Sequence, residues 1–177
     1  MKYDGVTLKQ NWSREVILPR PDGTAWTFRL IPLSLGFPQL LRERGIITPA
    51  APLKLSRHDG GRLQRDAQGK VCAERDEQHA GYLLEMERYH HRVALMAIWE
   101  ALREDTHWEF EAPAPAGLEG WIDFLNQLSN ELDSAGFSLG DIIWLCDQIN
   151  QLSRLSGTHL QEAQQRFFST ELTIPAD

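Results

Sequence analysis

The stretch that most constrains the fold runs from His79 to Arg103, HAGYLLEMERYHHRVALMAIWEALR. After Gly81 it holds no Gly or Pro, and it is rich in good helix formers. Tyr82, Met86, Tyr89, Val93 and Met96 recur at steps of four, three, four and three, which is one stripe of a helix. From Val93 to Leu102 only Glu100 is charged, so this half is apolar nearly all round. Such a helix is covered on several sides. The span 79–105 therefore reads as a central helix with the chain packed around its C-terminal half. Glu100 and Glu104 are like charges one turn apart, which predicts either solvent exposure or a basic partner at that end.

Upstream, EVILPRPDGTAWTFRLIPL has two runs of alternating polarity separated by Pro19-Arg20-Pro21-Asp22-Gly23. Pro, Asp and Gly each favour a turn, so 15–32 is expected to be a β-hairpin with one buried face. A lone hairpin is marginal in water and must dock on something, here the apolar helices. Phe37 to Arg44 predicts a short helix stopped by Gly45. Residues 46–78 carry Pro, Gly and many charges and few residues that could be buried. They read as an exposed insertion, with a small second hairpin from Gly61 to Ala73 turning at Asp66-Ala67-Gln68-Gly69. No internal repeat is evident.

Downstream, Glu111 to Gly117 is a stiff Pro-containing linker. Residues 117–170 are expected to hold the C-terminal helices. The first runs from Leu118 to Leu132 on the stripe Leu118, Trp121, Ile122, Leu125, Leu128 and Leu132. Another opens at Ser138, with Asp141 in its first turn and Ile142, Leu145, Cys146, Ile149 and Leu152 facing inward. A last helix starts at the capping pattern Thr158-His-Leu-Gln161 and ends near Ser169. The fold class expected is α+β, mainly α-helical, an N-terminal β-hairpin packed on a bundle of about four to five helices. A length of 177 residues suits a single domain spanning 1–177.

Composition argues against several function classes. The net charge of −7 disfavours broad nucleic-acid binding. Cys72 and Cys146 are the only cysteines, too few for a disulfide framework and consistent with a reducing cytoplasm. No apolar run is long enough to span a membrane, and the N-terminus MKYDGVTLKQ has no apolar core of a signal peptide. Glu87-Arg-Tyr-His90 has the spacing of one carboxylate–histidine pair, but a di-iron bundle needs a second copy and two further Glu. His90 and His91 point about 100° apart on a helix and cannot form an i, i+4 zinc pair. There is no nucleophile elbow, phosphate-binding loop or zinc-protease motif. No enzyme activity, metal or cofactor is expected. Lys54, Arg57, Arg62, Arg65 and Lys70 form a basic set without aromatics, which reads as a solvated loop or a dock for an acidic protein.

Taken whole, residues 15–170 resemble the tail assembly chaperones of long-tailed bacteriophages and prophages. The resemblance lies in VILPRPDGTAWTFRLIPLSLGF, in YHHRVALMAIWEALRED and in GWIDFLNQLSNELDSAGFSLGDIIWLCDQINQLSRLSGTHLQEAQQRFFS. It implies a non-enzymatic factor in the cytoplasm of the bacterial host, binding the tail tube or tape measure protein during tail assembly. The partner contacts expected are Arg57, Arg62 and Arg65 of the basic loop and Trp26 and Arg29 of the hairpin. Self-association stays open. The alternatives are a structural tail component retained in the particle, or a small regulatory or nucleic-acid-binding protein.

Overall fold

A computed structural model of the chain describes residues 2–3, 6–7, 13–58 and 60–153. Its elements are β1 (Lys2–Tyr3), β2 (Val6–Thr7), β3 (Arg14–Pro19), β4 (Ala25–Leu30), α1 (Phe37–Glu43), β5 (Leu53–Leu55), β6 (Ala73–Arg75), α2 (Ala80–Leu102), α3 (Trp121–Ser134) and α4 (Leu139–Ser153). The fold is α+β with helices predominating. The last helix expected, near 158–169, lies outside the described residues, as does Trp12. The chain divides into two compact units, Met1–Ile46 with Arg92–Asp177, and Ile47–His91.

In the first unit, β3 and β4 pair antiparallel, with Val16 opposite Phe28 and Ile17 opposite Thr27. Val16, Leu18, Phe28 and Leu30 are buried while Ile17 is 62% exposed, the one-faced burial that alternation predicts. The turn closes through Arg20 N–H donating to the Thr24 carbonyl at 2.8 Å. Leu95, Met96, Ala97 and Ile98, four consecutive residues of α2, are all buried, so the helix is covered on every side there. Residues of α3 (Phe124, Leu125, Leu128) and α4 (Leu145, Ile149) are buried too, and the Trp99 ring of α2 lies 4.9 Å from Phe124. Gly45, at φ +74°, ends α1.

The first C-terminal helix starts at Trp121, not at Leu118. Gly120 holds φ +84°, a left-handed conformation that breaks helical geometry just before it, and Leu118 is left 68% exposed. Phe124, absent from the expected stripe, is buried. Ser138 and Asp141 cap α4 reciprocally: Asp141 Oδ2 accepts from Ser138 N–H at 2.7 Å, and Ser138 Oγ accepts from Asp141 N–H at 3.2 Å.

The second unit is built differently from the hairpin expected at Gly61–Ala73. The turn at Asp66–Gly69 is present, but it closes only one of three arms. Leu55 pairs with Ala73, Arg57 with Leu63, and Arg65 with Val71. The arms meet in a closed ring of backbone hydrogen bonds. Ser56 N–H donates to Cys72 O (3.0 Å), Cys72 N–H to Gln64 O (2.9 Å) and Gln64 N–H to Ser56 O (2.9 Å). The ring residues are eight apart, and so are the sequences LSRHDGGR, LQRDAQGK and VCAERDEQ. An internal repeat therefore exists, contrary to the reading from sequence. The two complete copies fold alike. His58 N–H donates to Arg62 O and Asp66 N–H to Lys70 O, each at 2.9 Å, with Gly61 at φ +76° and Gly69 at φ +81°. Each turn is also clamped by its own arginine: Arg57 Nη1 donates to Gly61 O at 2.8 Å and Arg65 Nη1 to Gly69 O at 2.7 Å. No described apolar side chain between 47 and 91 is fully buried.

Candidate partner-binding surfaces

A two-stranded hairpin has two edges, and here they differ. Along β4 and its continuation, three outward backbone groups are taken by the segment that ends and follows α2. Ile31 N–H donates to the Ala101 carbonyl at 2.9 Å. Arg29 N–H donates to Asp105 Oδ2 at 2.6 Å. Trp108 Nε1 donates to the Thr27 carbonyl at 2.9 Å. Residues 101–108 thus stand in for a third strand. Because Thr27 and Arg29 turn their backbone groups away from β3, their register partners Ile17 and Glu15 turn theirs to the opposite side. Among the described residues, no other strand pairs with β3 at this edge. Open edges recruit strands from other chains unless charge or proline blocks them. The β3 edge ends at Pro19 and carries exposed Ile17 between the charged Glu15 and the proline.

Asp105 is the hub of the sealed edge. Its side chain is wholly buried and accepts from Arg29 N–H, from His107 N–H at 2.9 Å and from the His107 ring at 2.9 Å. Burial by itself would raise the carboxyl pKa, but the backbone donors Arg29 and His107, together with the His107 side chain, outweigh it and hold the group below its ordinary value. At the turn end, Arg20 ties the hairpin to the helices through Asp141 (2.6 Å) and the Gly136 carbonyl (2.6 Å). Asp141 is likewise depressed: burial raises it, and bonds from Ser138 and Arg20 more than offset this.

Trp26 and Arg29 occupy different settings. Trp26 is half-buried in an aromatic cluster, 5.6 Å from Trp108 and 4.6 Å from Phe137, with the Arg20 guanidinium 4.1 Å over its ring. Its contacts are internal, and they lock the hairpin to the loop after α2. The Arg29 side chain is exposed and donates from Nε to Ser13 Oγ at 3.0 Å. Arg57, Arg62 and Arg65 are exposed on the three-armed unit. Arg57 and Arg65 hold equivalent places in adjacent arms, and Arg62 sits where its turn rejoins the stem.

The basic partner of Glu100 is Arg44, at 2.6 Å, whose guanidinium also lies 3.5 Å from the Trp121 ring centroid. Sequence reading left solvent exposure and a basic partner as alternatives at this end, and Arg44, 56 residues away, is the partner. A surface recess of about 410 Å³ opens beside this pair, lined by Leu40, Arg44, Leu118 and Trp121 among others. Among the described residues, no group of three or more His, Cys, Asp and Glu gathers as a metal site. No described helix is long and apolar enough to cross a membrane. Cys72 and Cys146 are both free thiols, and burial pushes the Cys146 thiol up to about 12, so it stays protonated. Sequence reasoning missed Asp105, Arg20 and the three-armed unit. Of these, only the last had a local signal, the eight-residue spacing of Leu55, Leu63 and Val71 and of Gly61 and Gly69. Comparison with protein-family models, with curated proteins and with solved structures finds no match.

Proposed function

We propose that this protein is a non-enzymatic assembly factor of a long-tailed bacteriophage or prophage. It binds the tail tube or tape measure protein in the cytoplasm of the host while the tail is built. The observation that carries the reading is the asymmetric hairpin: the β4 edge bonded by residues 101–108, and the β3 edge, at Glu15 and Ile17, paired with no other described strand. Such an edge can take an extended segment of an unassembled partner by strand addition. The resemblance of residues 15–170 to tail assembly chaperones supplies the identity of that partner. The test is co-expression with the tail tube and tape measure proteins of the same phage, followed by co-purification. A chaperone binds one of them and is missing from purified particles. Retention in the particle would make it a structural tail component instead. Failure to bind either protein, alongside sequence-specific DNA binding, would overturn the reading in favour of a regulator.

A further inference from the structure

The three-armed unit has two unlike faces, and strand alternation sorts its residues between them. Side chains of residues two apart, and of residues paired across strands, share a face. Leu53, Leu55 and Arg57 therefore lie together, as do their partners Arg75, Ala73 and Leu63, and the pair Arg65 and Val71 continues the same face. Around the hydrogen-bonded ring the order is Leu55, Arg57, Leu63, Arg65, Val71, Ala73, so apolar and basic groups alternate over most of the circuit. None of these paired residues is acidic. The acids of the stem fall on the other one: Lys54, opposite Glu74, is bridged there to Glu74 at 3.7 Å and Asp76 at 3.3 Å. The Asp66 carboxylate is turned back into its own loop, accepting from Gln68 N–H (3.0 Å) and Lys70 N–H (2.8 Å).

The face of Leu55 and Arg57 is both apolar and preorganised. Leu53 is 73% exposed and Leu55 53% exposed, far more than isolated core-forming leucines would be. The two guanidiniums at Arg57 and Arg65 are held in place by the glycine carbonyls of their own turns. A guanidinium has five N–H donors in a fixed fork, so one bond to a carbonyl fixes its position and leaves donors to spare. Fixing an arginine before binding lowers the entropy cost of using it. Phosphates would also be drawn to such a charge, but the segment has no aromatic ring on which a base could stack, and the chain as a whole is acidic.

We propose that this face docks an acidic amphipathic segment of a partner polypeptide. The partner's apolar residues sit on Leu53, Leu55, Leu63 and Val71, and its carboxylates meet the spare donors of Arg57, Arg65 and Arg75. The proposal names the chemistry of a partner contact in the assembly reading and rests on that reading only for the partner's identity. The test uses the full chain and a labelled synthetic peptide with Leu on one helical face and Glu on the other. Fluorescence anisotropy should show binding that weakens as salt is raised. Arg57→Ser with Arg65→Ser should reduce affinity by about tenfold or more. Arg75→Ser and Leu53→Ser, at exposed stem positions, should each weaken binding severalfold with an unchanged circular dichroism spectrum. Lys54→Ser, on the opposite face, should bind like the parent.

Several outcomes would overturn the proposal: equal affinity for a Lys-for-Glu version of the peptide, equal losses from Lys54→Ser, or preference for a DNA duplex. Self-association that consumes the same arginines would replace the foreign partner with a second copy. Peptide binding without tail-protein binding would sink the assembly reading and leave the docking face standing. The reverse result would sink only the docking face.

Discussion

Replacing Asp105 by Ala would leave the Arg29 and His107 backbone N–H groups without their acceptor. A buried donor stripped of its partner costs about 1–3 kcal/mol, so the substitution should destabilise the protein by about 2–4 kcal/mol in denaturant melts. A loss below about 0.5 kcal/mol would mean water takes over both bonds. The same carboxylate predicts a pH response. Its folded pKa lies below the ordinary 3.8, so its contribution is fully present above that value and is lost as pH falls through the folded one. Asp141, depressed in the same direction, acts in the same window. Stability should therefore fall on acidification below about pH 4, and Asp105→Asn should lose less over that interval than the parent does. Parallel curves for the two proteins would remove Asp105 from the account. None of this was legible beforehand. Asp105 and Arg29 are 76 residues apart, and a lone Asp after a helix looks like any other polar terminus.

At the scale of elements, what repeats locally was legible and what depends on distant contacts was not. The α2 helix, the β3–β4 hairpin and the Ser138–Asp141 cap each follow from periodicity or capping chemistry within a few residues. The early start assigned to α3 failed because Leu118 continues the apolar stripe while the conformation of Gly120 does not continue the helix. The three-armed unit was hidden for another reason. Its repeat keeps only an apolar residue, an arginine and a glycine per copy, and the third copy replaces the last two with Ala73 and Glu77. Within α2, Trp99 is half-buried, with its ring 4.9 Å from Phe124 and 5.3 Å from Phe110. Trp99→Ala should cost about 2–4 kcal/mol, below the full range for a completely buried ring. A change under about 1 kcal/mol would make these ring contacts incidental to stability.

The two units also differ in how they are held together, and this decides how the whole chain responds to proteases, salt and surface mutations. The first has a continuous apolar core, whereas the second relies on backbone hydrogen bonds and turn clamps that face solvent. Regions of that second kind open first. Limited trypsin digestion should therefore nick first between Arg57 and Arg75, and a first cut at Arg92 or Arg103 would reverse the assigned order of stability. Charge is distributed unevenly as well. From Glu104 to Ser153 there is no Lys or Arg, while Arg57, Arg62, Arg65, Lys70 and Arg75 crowd one short stretch. A chain so divided can attract an acidic partner with one part while remaining acidic overall. Replacing Arg57, Arg62 and Arg65 together by Ser removes three exposed charges without opening a cavity. The first unit, which holds none of the three, should keep its stability, whereas the three-armed unit, losing the clamps of Arg57 and Arg65, should open more readily to protease. Under the proposed assembly role, binding to the tail partner should weaken, and its dependence on salt should flatten, because fewer screened contacts remain. If binding persists at full strength with the same salt dependence, the partner engages elsewhere, and the β3 edge becomes the surface to dissect next, by Ile17→Pro, which would remove one of its two outward donors.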